Sequence, residues 1–89
     1  MARMELATVH GAEIAAGPGT ADAFLRLGLL HSAGAEGAPD LVSAHKWFNL
    51  AALQGSRPAR DYRSEIAQEM TPEQIAEAQR QAREWLYSH

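Results

Sequence analysis

The stretch from Leu27 to Gly55, LGLLHSAGAEGAPDLVSAHKWFNLAALQG, constrains this chain more than any other. It places two helical patterns on either side of a turn built from glycine and proline. Gly28 sits inside the first pattern, where glycine costs about 1 kcal/mol relative to alanine. Such a glycine points to a neighbouring helix that must come close. Gly34 can end the first helix, because glycine takes the left-handed conformation of a C-terminal cap. Asp40 can cap the next helix by accepting from its first-turn N–H groups. Ala44, Trp47, Phe48, Ala51 and Ala52 then recur at helical spacing up to Gly55. Small alanines admit a neighbouring helix, and the two aromatics fill the space beside them. The turn from Gly34 to Pro39 is short enough to make the two helices antiparallel.

These residues form a recognisable pattern. LG-x-x-(aromatic)-x-x-G followed by D-x-x-x-A-x-K-W-F-x-x-A-A-x-x-G resembles the SEL-one-like repeat, a relative of the tetratricopeptide helical hairpin. Ala23, Leu27, Gly28, Gly34, Asp40, Ala44, Trp47, Phe48, Ala51, Ala52 and Gly55 fall on pattern positions. His31 stands where tyrosine is usual, Gly37 is displaced by one, and the valine after it is missing. These departures bear on the turn and leave the hairpin intact. The likeness covers residues 21–55 well and 56–86 loosely. It implies an all-α fold, a right-handed α/α superhelix of tetratricopeptide type with about two helical hairpins and four helices. It also implies a protein that holds or arranges other proteins, in a minimal build of bacterial style.

The remaining chain fits that expectation. Thr20 reads as an N-cap with Asp22 in the first turn, where a negative charge suits the helix dipole. Helix A then runs to about Ser32, with Ala23, Leu27, Leu30 and His31 as its inner stripe. Helix B runs from about Leu41 to Gln54, with His45, Lys46 and Asn49 facing water. Ser56 and Pro58 start helix C, which reaches about Glu69 and buries Ala59, Tyr62 and Ile66. Setting Ala59 on Ala23 gives an offset of 36 residues, within the range of helical repeats. Residues 20–55 thus form one hairpin, and 56–87 a degenerate capping hairpin with a more polar face. Thr71, Pro72 and Gln74 make a capping box, and Met70 can staple onto Ile75. Helix D follows to about Leu86, with Ile75, Ala78, Ala82 and Trp85 inward. Glu77, Arg80 and Glu84 pair on its outside. Trp47, Phe48, Tyr62 and Trp85 are expected in the core. Residues 1–19 read as an arm, partly ordered or disordered, because Gly11, Gly17, Pro18 and Gly19 interrupt any long element.

Composition narrows the function. The 89 residues allow one small domain at most. No cysteine is present, so disulfides, thiolate zinc sites and cysteine nucleophiles are excluded. Net charge is −3. No cluster of cations suits nucleic acid, whose phosphates must be neutralised. No apolar run has the length of a membrane span, and Glu5 and His10 interrupt the apolar core of a signal peptide. The expected setting is cytoplasmic.

The residues show no pattern of catalysis. His10, His31, His45 and His89 lack a second ligand one turn away. Asp61 and Glu65 lie one turn apart, with no apolar surroundings to separate their acidities. The serines lack a nucleophile-elbow context, and Gly34 and Gly37 do not form a phosphate loop. No enzyme, cofactor or metal is expected. Helix A, in contrast, is apolar nearly all round, and such a helix expects cover on several sides. With no preceding hairpin, Phe24, Leu25 and Leu29 are left over. Burying each is worth about 1.5–3 kcal/mol. Their cover is the arm through Leu6, Val9 and Ile14, a second copy of the chain, or a partner protein. A second candidate surface is a groove between helices A and C, where Arg26, Arg60 and Arg63 would meet an acidic peptide. The expected function is a protein-interaction or adaptor module without catalytic activity. The alternative is a structural domain that self-associates as a homodimer through helix A.

Overall fold

The computed structural model describes residues 20–34 and 37–88. The expected arm, with Leu6, Val9 and Ile14, lies outside the described residues, as do part of the first turn and His89. Four helices follow one another: α1 (Ala21–Ala33), α2 (Leu41–Leu53), α3 (Arg57–Ala67) and α4 (Pro72–Ser88). No strand occurs among the described residues.

Each helix begins where its local chemistry dictates. Thr20 Oγ1 accepts from the Ala23 amide at 3.3 Å. Asp40 accepts from the Ser43 amide at 3.0 Å and from its hydroxyl at 2.8 Å. Those bonds hold the Asp40 carboxyl below its ordinary acidity range. Ser56 Oγ accepts from the Ala59 amide at 3.2 Å. Thr71 and Gln74 close a full capping box, at 3.1 and 2.9 Å. A cap of this kind is worth about 0.5–2 kcal/mol. Gly34 ends α1 in the left-handed region, at φ 72°. The turn is drawn together by the His31 carbonyl, which accepts from the Gly34 amide at 3.3 Å and the Asp40 amide at 2.9 Å.

Gly28 fixes how α1 lies on α2. A Cβ built there would meet the Phe48 ring well inside van der Waals contact, so the close approach expected from the sequence is present. The rotation of α1 follows from it. Gly28 and Phe24, one turn apart, are the buried residues of α1. The expected stripe of Ala23, Leu27, Leu30 and His31 is therefore turned: Leu30 is 51 % exposed, and Ala23, Leu27 and His31 are half-buried.

Around α2 the core closes. Phe24, Ala44, Phe48, Leu50, Ala51, Ala59 and Ala82 form one cluster, with Leu25, Trp47, Ile66 and Trp85 against it. Helices α1, α3 and α4 all lie on α2, whereas α3 and α4 touch each other little. The second pair of helices is thus applied to the first hairpin rather than closed on itself. The physical reason lies in their inner faces. That of α3 offers Ala59, Ile66 and the ring face of Tyr62, while Trp85 of α4 finds a larger apolar surface at Phe24 and Trp47.

Helix α2 is also more enclosed than its sequence suggests. His45, expected to face water, is 4 % exposed. Asn49 is half-buried and accepts from Arg63 Nη1 at 2.6 Å. Both residues lie on the side of α2 that α3 covers, and periodicity alone does not reveal that third neighbour. Tyr62 is stacked on Phe48 at 5.3 Å between ring centroids, yet it stays 39 % exposed and lies at the edge of the core rather than in it.

Replacing Gly28 with alanine should lower stability by about 1–3 kcal/mol through overpacking, despite alanine's better helix propensity. Urea unfolding measures it. Combining Gly28→Ala with Phe48→Leu should recover part of the loss if the close approach is the cause.

Candidate functional site

The residues expected to form an uncovered apolar face do not share one fate. Phe24 is 2 % exposed. It stacks on Trp47 at 5.7 Å and meets Trp85 edge-on at 5.1 Å, so α4 of the same chain covers it. Leu25 lies partly buried against the core. Leu29 remains 37 % exposed. Leu30, which the sequence stripe placed inside, joins it on the outside. The outward surface of α1 therefore carries Leu29 and Leu30, with Arg26 and Ala33 also exposed. Treating Gly28 as the centre of the interface reveals this in the sequence: residues two places away lie across the helix, and Leu30 and Arg26 are those residues.

The three arginines are not brought into one groove. Arg26 is two places from both Phe24 and Gly28, the buried residues of α1, and so points away from α2. Arg63 points onto α2, where its guanidinium is bound to Asn49. Arg60 is exposed on α3. Helices α1 and α3 also meet only slightly. A shared cationic wall for an acidic peptide is not formed.

A polar depression of about 310 Å³ lies between α2 and α4, lined by Lys46, Arg80, Gln81, Glu84, Trp85 and Ser88. Sequence reasoning missed it, because it needs α4 against α2. Its charges are largely satisfied from within. Arg80 donates through Nε to Glu77 at 2.9 Å and through Nη1 to Glu84 at 2.6 Å. Gln81 also donates to Glu77, at 2.9 Å. The Arg80 and Gln81 hydrogen bonds hold the Glu77 carboxyl down at about 2, and Glu77 in turn strengthens Arg80's hold on its proton. The Ser88 hydroxyl donates to the Glu84 carbonyl at 2.9 Å. The Lys46 ammonium stands 4.1 Å over the Trp47 ring, a cation–π contact. The charged groups of α4 are thus engaged with one another along its outer surface.

Asp61 and Glu65 are both exposed on α3. Among the described residues, no three acidic or histidine side chains gather where they could hold a metal ion. No helix among them is long and apolar enough to cross a membrane. Comparison with known proteins finds no family model that matches the chain, no curated protein that matches it and no matching solved structure.

Trp85→Ala should uncover Phe24 and Trp47 together and cost about 3 kcal/mol, seen as a lower urea midpoint and altered near-ultraviolet circular dichroism. Arg80→Ala should leave that midpoint almost unmoved, because exposed ion pairs contribute little.

Proposed function

We propose that this chain is a helical protein-interaction module, an adaptor with no chemistry of its own. The observation that carries the proposal is the outward surface of α1. Leu29 and Leu30 stand exposed there, next to Arg26, on the side of the helix opposite its contact with α2. Paired leucines on a rigid helix, flanked by a charge, have the makings of the apolar face that a helix lays into a partner's groove. The helix beneath them is held by a cap at each end and by the Phe48 contact at Gly28. The face is therefore preorganised, which lowers the cost of binding.

The SEL-one-like character belongs to the same proposal. It is supported by Gly28 seated on Phe48, Gly34 as the turn glycine, Asp40 as the cap of α2, and Ala44, Phe48 and Ala51 buried in sequence order. A right-handed superhelical arrangement and a cytoplasmic setting are proposed with it. The second reading is self-association through the same face, since two copies of α1 laid side by side would cover each other's Leu29 and Leu30.

A chain with Leu29→Ser and Leu30→Ser should keep its helical circular dichroism and nearly its urea midpoint, because both residues stand outside the core. Light scattering over a concentration series, with partner capture in parallel, separates the readings. A wild-type dimer that becomes monomeric in the variant supports self-association. A wild-type monomer whose captured partner is lost in the variant supports the adaptor. A monomer whose partner binds both chains equally overturns the proposed face.

A further inference from the structure

His45 is a titratable group enclosed where no role of interaction or catalysis uses it. Its side chain is 4 % exposed, and its Nδ1 is buried without a hydrogen-bond partner. It lies one turn before Asn49 on the side of α2 that α3 covers. Arg63 of α3 donates to Asn49 at 2.6 Å, and its permanent positive charge acts on the imidazole one turn away. Arg63 is the charge that acts on His45 among the described residues; none from α1, α4 or α2 itself does.

We infer that His45 is an acid-sensitive latch between α2 and α3. The neutral imidazole fits its enclosed place beside Arg63. A proton added to it creates a second cation there: among the described residues no carboxylate acts on it, and only His45's own backbone favours the proton, less than burial and Arg63 oppose it. A buried, unpaired charge is costly, and the enclosure relieves that cost by opening to water. Helix α3 is the element that can move. It holds to the molecule through Ala59, Ile66, the stack of Tyr62 on Phe48 and the Arg63–Asn49 bond. It touches α4 little and α1 slightly. Acid therefore lifts α3 and uncovers Phe48 while the α1–α2 hairpin stays closed.

The sign of the linkage agrees. Burial first, then Arg63, hold the His45 pKa below its ordinary 6.5. The stability that neutral His45 permits is complete above 6.5 and is lost as pH falls below it. If the closed form excludes the proton altogether, local opening should rise by up to about thirty-fold between pH 7.5 and pH 5.

The test is amide hydrogen exchange of the full chain by NMR at several pH values, corrected for intrinsic rates, with the His45 ring signal followed in the same samples. The expected result is a loss of protection across Arg57–Ala67 that exceeds the loss in Ala21–Ala33. It should also be absent in His45→Gln, which carries no proton to gain. Equal losses in both helices, an equal loss in His45→Gln, or a His45 ring titrating as it does in urea overturns the latch. The comparison within the wild-type chain stands even where the variant fails to fold.

Discussion

The contact between Gly28 and Phe48 decides where the other side chains go. A single missing Cβ lets α1 settle onto the Phe48 ring, and that distance sets the rotation of α1. Phe24, one turn earlier, then falls inward beside Trp47. Together they make the apolar surface that receives Trp85. On its other side Phe48 takes the stack of Tyr62 from α3. One ring thus links α1, α2 and α3, and the aromatic group one turn away links α4. The outward position of Leu29 and Leu30 is the same rotation seen from outside.

A domain this small has little interior to work with, and without cysteine it has no covalent staple. The fold meets that limit by making α2 its central helix. Ala44, His45, Phe48, Leu50 and Ala51 are all buried, although they span most of the helix circumference. Helices α1, α3 and α4 then need only one apolar side each. The consequence is uneven stability. The α1–α2 hairpin carries the closest contact, and α4 brings two buried alanines and a tryptophan. Helix α3 has a single fully buried residue, Ala59, so its grip depends on polar groups such as Arg63 and Asn49. Local opening is drawn from such weakly anchored elements.

What could be read in the sequence was what is decided locally. All four helix starts were legible, because a cap and its amide lie three residues apart. The close approach at Gly28 and the left-handed Gly34 were legible because each has a cost that only a structural need explains. The failures concern neighbours distant in the chain. Phe24 looked uncovered because nothing local announces that Trp85 will arrive over it. His45 and Asn49 looked solvated because an adjacent lysine suggests a polar side, and only the arrival of α3 encloses them. The premise of helix stacking sets the arginines along one groove. Arg26 and Arg63 instead face away from α2 and onto it.

The same physical sorting bears on what the surface can do. On α4 the charged groups answer one another: Arg80 lies between Glu77 and Glu84, and Gln81 also donates to Glu77. Groups so engaged must break existing bonds before they can bind a ligand, and what remains is only the difference. The outward side of α1 has no such obstacle. Leu29 and Leu30 make no hydrogen bonds through their side chains, their exposure to water is unfavourable, and the helix that carries them is fixed by its contact at Gly28. An apolar partner gains there without disturbing an interaction the fold needs. The close approach that builds the core thus also turns α1's spare leucines toward whatever can cover them.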